Sequence, residues 1–127
     1  MTTPLTLQQV FNRVVLHARA QEVKSLNYIG LCMYRAPNGN KCFTGIFIPD
    51  DKYQINFESL TIEELKIANV LEPILEDLSN LRELQKIHDK FEPECWEDEF
   101  FKFAKKFNLT IPNLVQTFIS IEHQVIQ

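Results

Sequence analysis

The sequence predicts an α+β fold with an N-terminal helix, one β-hairpin at about residues 31–48, and three to four helices packed on it. Three observations lead to this class. Apolar residues recur at helical spacing on both sides of the hairpin region. Two of those stretches follow threonine-led capping boxes, and the clearest strand and turn signals lie between them. Its length of 127 residues is that of one domain, residues 1–127.

The first helix is predicted from Thr6 to about Glu22. Thr6 and Gln9 fit a capping box, in which each side chain accepts from the other residue's backbone amide. His17 and Gln21 lie four residues apart, so they share a face and could edge a polar site. A boundary histidine bonded to a neighbour is the simpler interpretation. One apolar stripe marks the buried face, formed by Leu7, Val10, Phe11, Val14, Val15 and Ala18.

The hairpin arms are predicted over residues 31–35 and 41–48. Gly45, inside the second arm, indicates a bulge or a close approach to its backbone. Pro49 ends that arm because proline has no amide to donate. A two-stranded hairpin is marginal alone, so we expect helices to cover one of its faces.

The turn between the arms allows two registers. A type I turn started by Pro37, with Gly39 as a bulge, would put Tyr34 opposite Cys42. A two-residue turn at residues 38–39 would put Arg35 there instead. Sequence leaves both registers open, although Pro37 favours the first.

Capping signals predict the later helices. Residues 61–64 form a second capping box, opening a helix that ends before Pro73. Asn80 is predicted to cap a helix through about Phe91. Pro93 suits the first position of the next helix.

The helix after Pro93 has the strongest apolar stripe of the chain, with Asn108 as its C-cap. A last helix is predicted from about residue 110 onward. The stripe consists of Trp96, Phe100, Phe103, Ala104 and Phe107.

Composition narrows the classes of function. The net charge of −4 and the pI of about 5.4 argue against nucleic-acid and membrane binding, both of which need basic surface. Three cysteines, no hydrophobic leader and no long apolar run predict a cytoplasmic protein with reduced thiols. No phosphate-binding loop or metal-ligand spacing is found, so we expect neither cofactor nor metal.

One catalytic arrangement is conceivable. Cys42 could be a nucleophile activated by His88 and oriented by Asp89. The pattern is weak, because a strand cysteine is more often a small core residue. Asp89 directly follows His88 and is therefore expected on another helix face. The sequence leans away from an enzyme.

A binding surface is the alternative. Aromatic and charged residues gather around the predicted hairpin, and such a set could bind an anionic or peptide partner. A solvated hairpin tip is the simpler interpretation. The candidate residues are Tyr34, Arg35, Lys41 and Asp50, joined by His17 and Gln85. The expected partner is a protein or small ligand, and homodimerisation is an alternative.

The strings CMYRAPNGNKC, GIFIPDDKY and LQKIHD, followed by Trp96, resemble an uncharacterised family of small phage and bacterial proteins. Its pattern is approximately CxYRxxxGxKCAxGxLIPDxxY, then LQxxHD and a tryptophan. The resemblance covers about residues 5–109. Phe43 and Phe47 depart from the pattern, and residues 57–59 match a Met-Glu-Gly stretch of the family only loosely. The matching polar and aromatic residues are His17, Tyr34, Arg35, Lys41, Cys42, Asp50, Tyr53, Gln85, His88, Asp89 and Trp96.

The resemblance implies a phage or mobile-element context and no mechanism. The leading hypothesis is a non-catalytic binding or protein-interaction module that acts through the hairpin and the helix at residues 80–91. A small Cys42-dependent enzyme is one alternative. A structural or dimerisation protein, whose polar residues brace the hairpin, is the other.

Overall fold

A computed structural model of the chain describes residues 3–74 and 78–113. These residues form four α-helices: α1 (Leu7–Gln21), α2 (Ile62–Ile67), α3 (Leu78–Lys90) and α4 (Trp96–Phe107). A long loop, residues 22–61, joins α1 to α2 and contains the 3-10 helices Gly45–Phe47 and Ile55–Ser59. Another 3-10 helix, Pro93–Cys95, leads into α4. α1 packs on α3, and α3 packs on α2 and α4.

The capping predictions for the first two helices are confirmed. Thr6 Oγ1 accepts from the Gln9 amide at 3.2 Å, and Gln9 Oε1 accepts from the Thr6 amide at 2.9 Å. Thr61 and Glu64 make the same reciprocal pair at the start of α2. The buried face of α1 matches the predicted stripe except that Leu7 is only partly buried.

The remaining helix predictions concern the end of α4 and the start of α3. α4 ends at Asn108, whose φ of 55° is the left-handed conformation expected of its C-cap. The predicted start of α3 is wrong, because the helix begins at Leu78 and includes Asn80. Leu78 packs against the core, so the helix begins on the N-terminal side of Asn80.

Aromatic side chains join the helices to the long loop. Phe43 of the loop is buried, with its ring centre 5.7 Å from that of Phe100 and 5.0 Å from that of Trp96. Phe11 of α1 stacks on Phe103 of α4 at 5.5 Å. The loop thus supplies the core with an aromatic residue as a helix would.

The prediction of an α+β fold with a β-hairpin is wrong. The described residues form a mostly helical structure without a strand, in which only isolated bridges occur. One bridge pairs Arg35 with Lys41, and the Cys42 amide donates to Tyr34 O at 3.2 Å. Tyr34 and Cys42 therefore face each other at the base of a turn that does not extend into strands.

The hairpin fails because side chains take backbone donors that would extend it. In the register of the Cys42–Tyr34 bond, the amides of Tyr34 and Thr44 face the opposite arm, whereas those of Arg35 and Lys41 point away from it. Each of four amides in the predicted arms donates to a carboxylate or amide oxygen brought in from elsewhere in the chain. These bonds are Tyr34 and Arg35 to Glu58 at 2.8 and 3.1 Å, Lys41 to Gln21 at 2.9 Å, and Thr44 to Gln85 at 2.7 Å. With those donors satisfied, extended pairing gains little.

Gly45 confirms the expected close approach. A Cβ on Gly45 would lie 2.0 Å from the carbonyl oxygen of Tyr34, which only glycine permits. No helix of the described residues has the length and apolar character needed to cross a bilayer. Most of the predicted last helix lies outside the described residues, which end at Asn113.

Candidate functional site

Two polar side chains of α1, His17 and Gln21, bond the long loop at Lys41. His17 Nε2 lies 2.8 Å from Lys41 O, so Nε2 carries a proton and donates to that carbonyl. Gln21 donates to the same oxygen at 2.9 Å and accepts the Lys41 amide. Burial lowers the pKa of His17, and the charge of Lys41 lowers it further against the opposing effect of the hydrogen bond. His17 is therefore neutral, and its hydrogen bond to Lys41 O supports the loop.

His88 of α3 holds the start of the same loop. The Ser25 amide donates to His88 Nε2 at 3.0 Å, which leaves the ring proton on Nδ1. Nδ1 then donates to Asp89 Oδ1 at 2.9 Å. His88 is buried and Asp89 is exposed, so the two lie on different faces of α3 as expected, but the carboxylate still reaches Nδ1. The His88 ring is stacked on Trp96, with 5.6 Å between centres, which fixes its plane.

Gln85 links this pair to the loop. Its Nε2 donates to Asp89 Oδ1 at 2.8 Å, while its Oε1 accepts the Thr44 amide. Burial raises the pKa of Asp89, but hydrogen bonds from His88, Gln85 and Cys32 outweigh that effect and lower it below its ordinary value. Asp89 is therefore a carboxylate held in place by three donors.

Glu58 makes a second such cluster, which sequence reasoning missed. Its two carboxylate oxygens accept the amides of Tyr34 and Arg35, and Tyr53 donates its hydroxyl at 2.6 Å. No local pattern predicts this role, because Glu58 is 23 and 24 residues from the amides that it holds.

The Arg35 side chain pairs with Asp50 instead of with either of these carboxylates. Arg35 Nη2 is 2.6 Å from both Ile48 O and Asp50 Oδ1, and its guanidinium covers the Tyr53 ring at 5.1 Å. The guanidinium of Arg35 and the charge of Lys41 lower the pKa of Asp50. The Asp50 side chain is 80% exposed, so this pair contributes little stability.

One cavity, of about 200 Å³, collects four of the predicted site residues between the long loop and α3. Tyr34, Cys42, Gln85 and Asp89 line it together with Cys32, Met33, Glu58 and Ile62. Cys32 is the first cysteine of the family pattern but was not chosen as a site residue.

The other predicted residues do not line this cavity. His17 and Lys41 border a separate, more open hollow of about 320 Å³. Arg35 and Asp50 line neither, and His88 lies behind Asp89. The structure thus divides the predicted set between a cavity and the framework that supports it.

The cavity has a negative electrostatic character. Burial raises the pKa of the Cys32 thiol to about 11 and that of Cys42 to about 12, with the charge of Asp89 adding to both. Burial and nearby negative charges raise the pKa of Tyr34 as well. These three groups stay protonated at neutral pH, so the two carboxylates are the charged groups of the lining.

The predicted catalytic trio does not have the contacts of a nucleophile and its base. Cys42 is 1% exposed, and its sulfur accepts the Gly45 amide at 3.3 Å. His88 has its only lone pair occupied by the Ser25 amide, so it cannot take a proton from a thiol. Asp89 orients His88 as a triad carboxylate would, but the ring is oriented for a structural contact.

The same bond opposes metal binding. Ligand atoms of Cys32, His88 and Asp89 lie within 4.8 Å of one another, which would suit three positions of a zinc site. Because Ser25 donates to Nε2, Nδ1 of His88 carries the proton and has no lone pair for a metal. Coordination would require the Ser25 bond to break.

Comparisons with protein-family models, with curated proteins and with solved structures find no match to this chain, so its own geometry is what bears on its function.

Proposed function

We propose that this chain is a non-catalytic binding module whose site is the cavity between residues 32–34 and α3. One observation carries the proposal. Asp89 and Glu58 line the same cavity, and among residues 3–74 and 78–113 neither forms an ion pair with a lysine or arginine. A cation bound in the cavity would balance the negative charges of both carboxylates.

The lining favours a ligand with a cationic, hydrogen-bond-donating end. A carboxylate has about four acceptor positions, so Asp89 and Glu58 can each accept more than their internal bonds. The protonated Cys32 and Tyr34 would repel no cation, whereas an anion would meet two negative charges. Ile62 and Met33 supply apolar wall for a short alkyl stem.

The size of the cavity limits the ligand. About 200 Å³ is below the usual range for drug-sized ligands, which begins at roughly 300 Å³. We therefore expect an alkylammonium or guanidinium group, either free or as the side-chain end of a protein partner.

The context belongs to the same proposal. The resemblance in residues 5–109 supports a phage or mobile-element origin. Cys32 and Cys95 are exposed free thiols, which a reducing compartment preserves, and they support a cytoplasmic location. The net charge of −4 supports partners other than nucleic acids.

Chemical-shift titration of the full chain tests this proposal. We expect n-butylammonium and guanidinium to shift the amide signals of residues 32–34 and of Gln85 and Asp89, whereas acetate should not. Asp89→Asn keeps an oxygen for His88 and Gln85 but removes the charge, so cation binding should weaken about tenfold.

Glu94→Gln is the matched control, because Glu94 is exposed and outside the cavity lining. Glu58→Gln provides a second neutralised variant. The proposal fails if neither cation shifts these signals, or if both cavity variants bind the cations as the unmodified chain does.

A further inference from the structure

We infer that residues 26–31, the apolar loop, form a docking element that inserts into an uncharged apolar pocket of a partner protein. This surface lies outside the cavity and is independent of the proposed cation site. The loop exposes four large side chains: Tyr28 is 92% exposed, Ile29 80%, Leu31 59% and Leu26 37%.

The apolar loop is held in one conformation by its own hydrogen bonds. Asn27 Oδ1 accepts the amides of Ile29 and Leu31, each at 3.0 Å. The Asn27 amide donates to Leu31 O at 2.8 Å, and Gly30 donates to Asn27 O at 3.1 Å. Gly30 has φ of +87°, which glycine adopts readily and which closes the turn.

Hydrogen bonds join the base of the apolar loop to the neighbouring backbone and to α3. Leu26 and Cys32 form an antiparallel bridge, and the Met33 amide donates to Ser25 O at 2.9 Å. Ser25 is buried and bonds His88 and Asn40 O. Tyr28 and Ile29 are therefore held on an ordered turn, so little conformational entropy is lost when a partner binds them.

The exposed side chains have no evident role in folding. Tyr28 and Ile29 are almost fully exposed, and burying a side chain of this size is worth roughly 1.5–3 kcal/mol. An asparagine-locked turn could present polar residues equally well. Exposed apolar side chains that lie together mark interaction sites, whereas single scattered ones are ordinary.

Charge indicates what kind of partner fits. Residues 25–34 contain no charged residue, and the nearby Lys24 is 3.8 Å from Glu92, with a further bond to Asp89 O. The matching surface is therefore an uncharged apolar pocket. Tyrosine is a frequent anchor residue in protein interfaces. An anionic bilayer fits less well, because it attracts basic segments and the chain has a net charge of −4.

Site-specific crosslinking followed by affinity measurement tests the docking element. The full chain, with p-benzoylphenylalanine in place of Tyr28, is expressed in its native cell and irradiated, and the adduct is identified by mass spectrometry. We expect a protein adduct. With that protein purified, the double variant Tyr28→Ser/Ile29→Ser should bind it about 100-fold more weakly than the unmodified chain.

Ile67→Ser is the matched control, because Ile67 is 85% exposed on α2, and it should keep full affinity. The double variant should retain its unfolding midpoint, since it removes no buried contact. Adducts with lipid alone, with a second copy alone, or with a protein whose affinity the double variant leaves unchanged would overturn the inference. The inference would also be overturned if p-benzoylphenylalanine at residue 28 gave no adduct beyond those formed when it replaces Ile67 instead. Asp89→Asn should not weaken this complex, which separates the inference from the cation site.

Discussion

At the scale of single residues, several side chains serve the backbone of another segment. Gln21, Glu58, Gln85 and His88 each accept an amide of the long loop from a distant position in sequence. Each hydrogen bond contributes about 1 kcal/mol to stability after the loss of bonds to water, but a buried amide left without an acceptor costs more. These residues therefore act by giving acceptors to loop amides that would otherwise have none.

Gly45 gives the sharpest residue-scale prediction. Gly45→Ala should destabilise the chain by at least about 2 kcal/mol, because the new Cβ would overlap Tyr34 O and move the loop backbone. Urea unfolding measures the change. Gly39→Ala is the control: its φ of +94° is strained for alanine, but nothing lies within 4 Å, so about 1 kcal/mol is expected. Equal losses would show that the contact with Tyr34 is unimportant.

His17 predicts how stability depends on pH. Its pKa in the folded chain is lowered from 6.5, so below pH 6.5 the unfolded state takes up a proton before the folded state does. Stability should therefore fall as pH falls from 6.5 through the folded pKa, with a slope of at most about 1.4 kcal/mol per pH unit. His17→Gln keeps a donor for Lys41 O and should flatten this slope. An unchanged slope would exclude His17 as its cause.

Asp89 acts in a lower pH range. Its pKa is lowered from 3.8, so the stability contributed by its charged form is lost only as pH falls below that value through the folded pKa. The two groups can be separated in one acid titration of unfolding free energy.

At the scale of elements, the helices were largely predictable and the long loop was not. Capping boxes and apolar stripes are local signals, and they located α1, α2 and α4. The hairpin prediction used local signals as well, but the loop's backbone partners are side chains up to 63 residues away. No pattern within residues 31–48 reveals that Glu58 or Gln85 will take its amides.

The candidate site shows the same division. Tyr34, Cys42, Gln85 and Asp89 were selected by residue type and by the family pattern, and the cavity does bring them together. Cys32 was available in that pattern and was passed over. Glu58 was not predicted, because residues 57–59 match the family only loosely and an isolated acidic residue is ordinary on a surface.

Glu58 carries the prediction at this scale. Glu58→Ala should cost about 3 kcal/mol, because it removes the acceptor of two amides and of the Tyr53 hydroxyl. Glu58→Gln keeps one acceptor oxygen and should cost less. Glu63→Ala, which removes a surface pair with Arg82, should cost under about 1 kcal/mol in the same unfolding experiment. Similar losses for Glu58→Ala and Glu63→Ala would contradict the role given to Glu58.

At the scale of the whole molecule, aromatic packing joins the long loop to the helices. Phe43 lies against His88, Trp96 and Phe100, with ring centres 5.0–5.7 Å apart. The pattern that the chain resembles has alanine at this position. Phe43 does not line the cavity and occupies the core instead.

Phe43→Ala therefore predicts a global effect of about 3–5 kcal/mol. Phe101→Ala is the matched control, because Phe101 is 61% exposed on α4 and should cost about 0.5 kcal/mol or less. Thermal unfolding of both variants measures the difference. If the two midpoints agree, Phe43 does not hold the loop to α3 and α4.

The hydrogen bonds that replace the hairpin have a spectroscopic consequence. Circular dichroism would count residues 31–48 almost entirely as coil, since they contain no strand and only one short 3-10 helix. Their amides should nevertheless exchange slowly with deuterium, because Tyr34, Lys41 and Thr44 donate to fixed side-chain oxygens. Protection of the Lys41 and Thr44 amides should disappear together with that of α1 and α3, since Gln21 and Gln85 of these helices are their acceptors. A segment that optical spectra report as unstructured would thus unfold cooperatively with the helices around it.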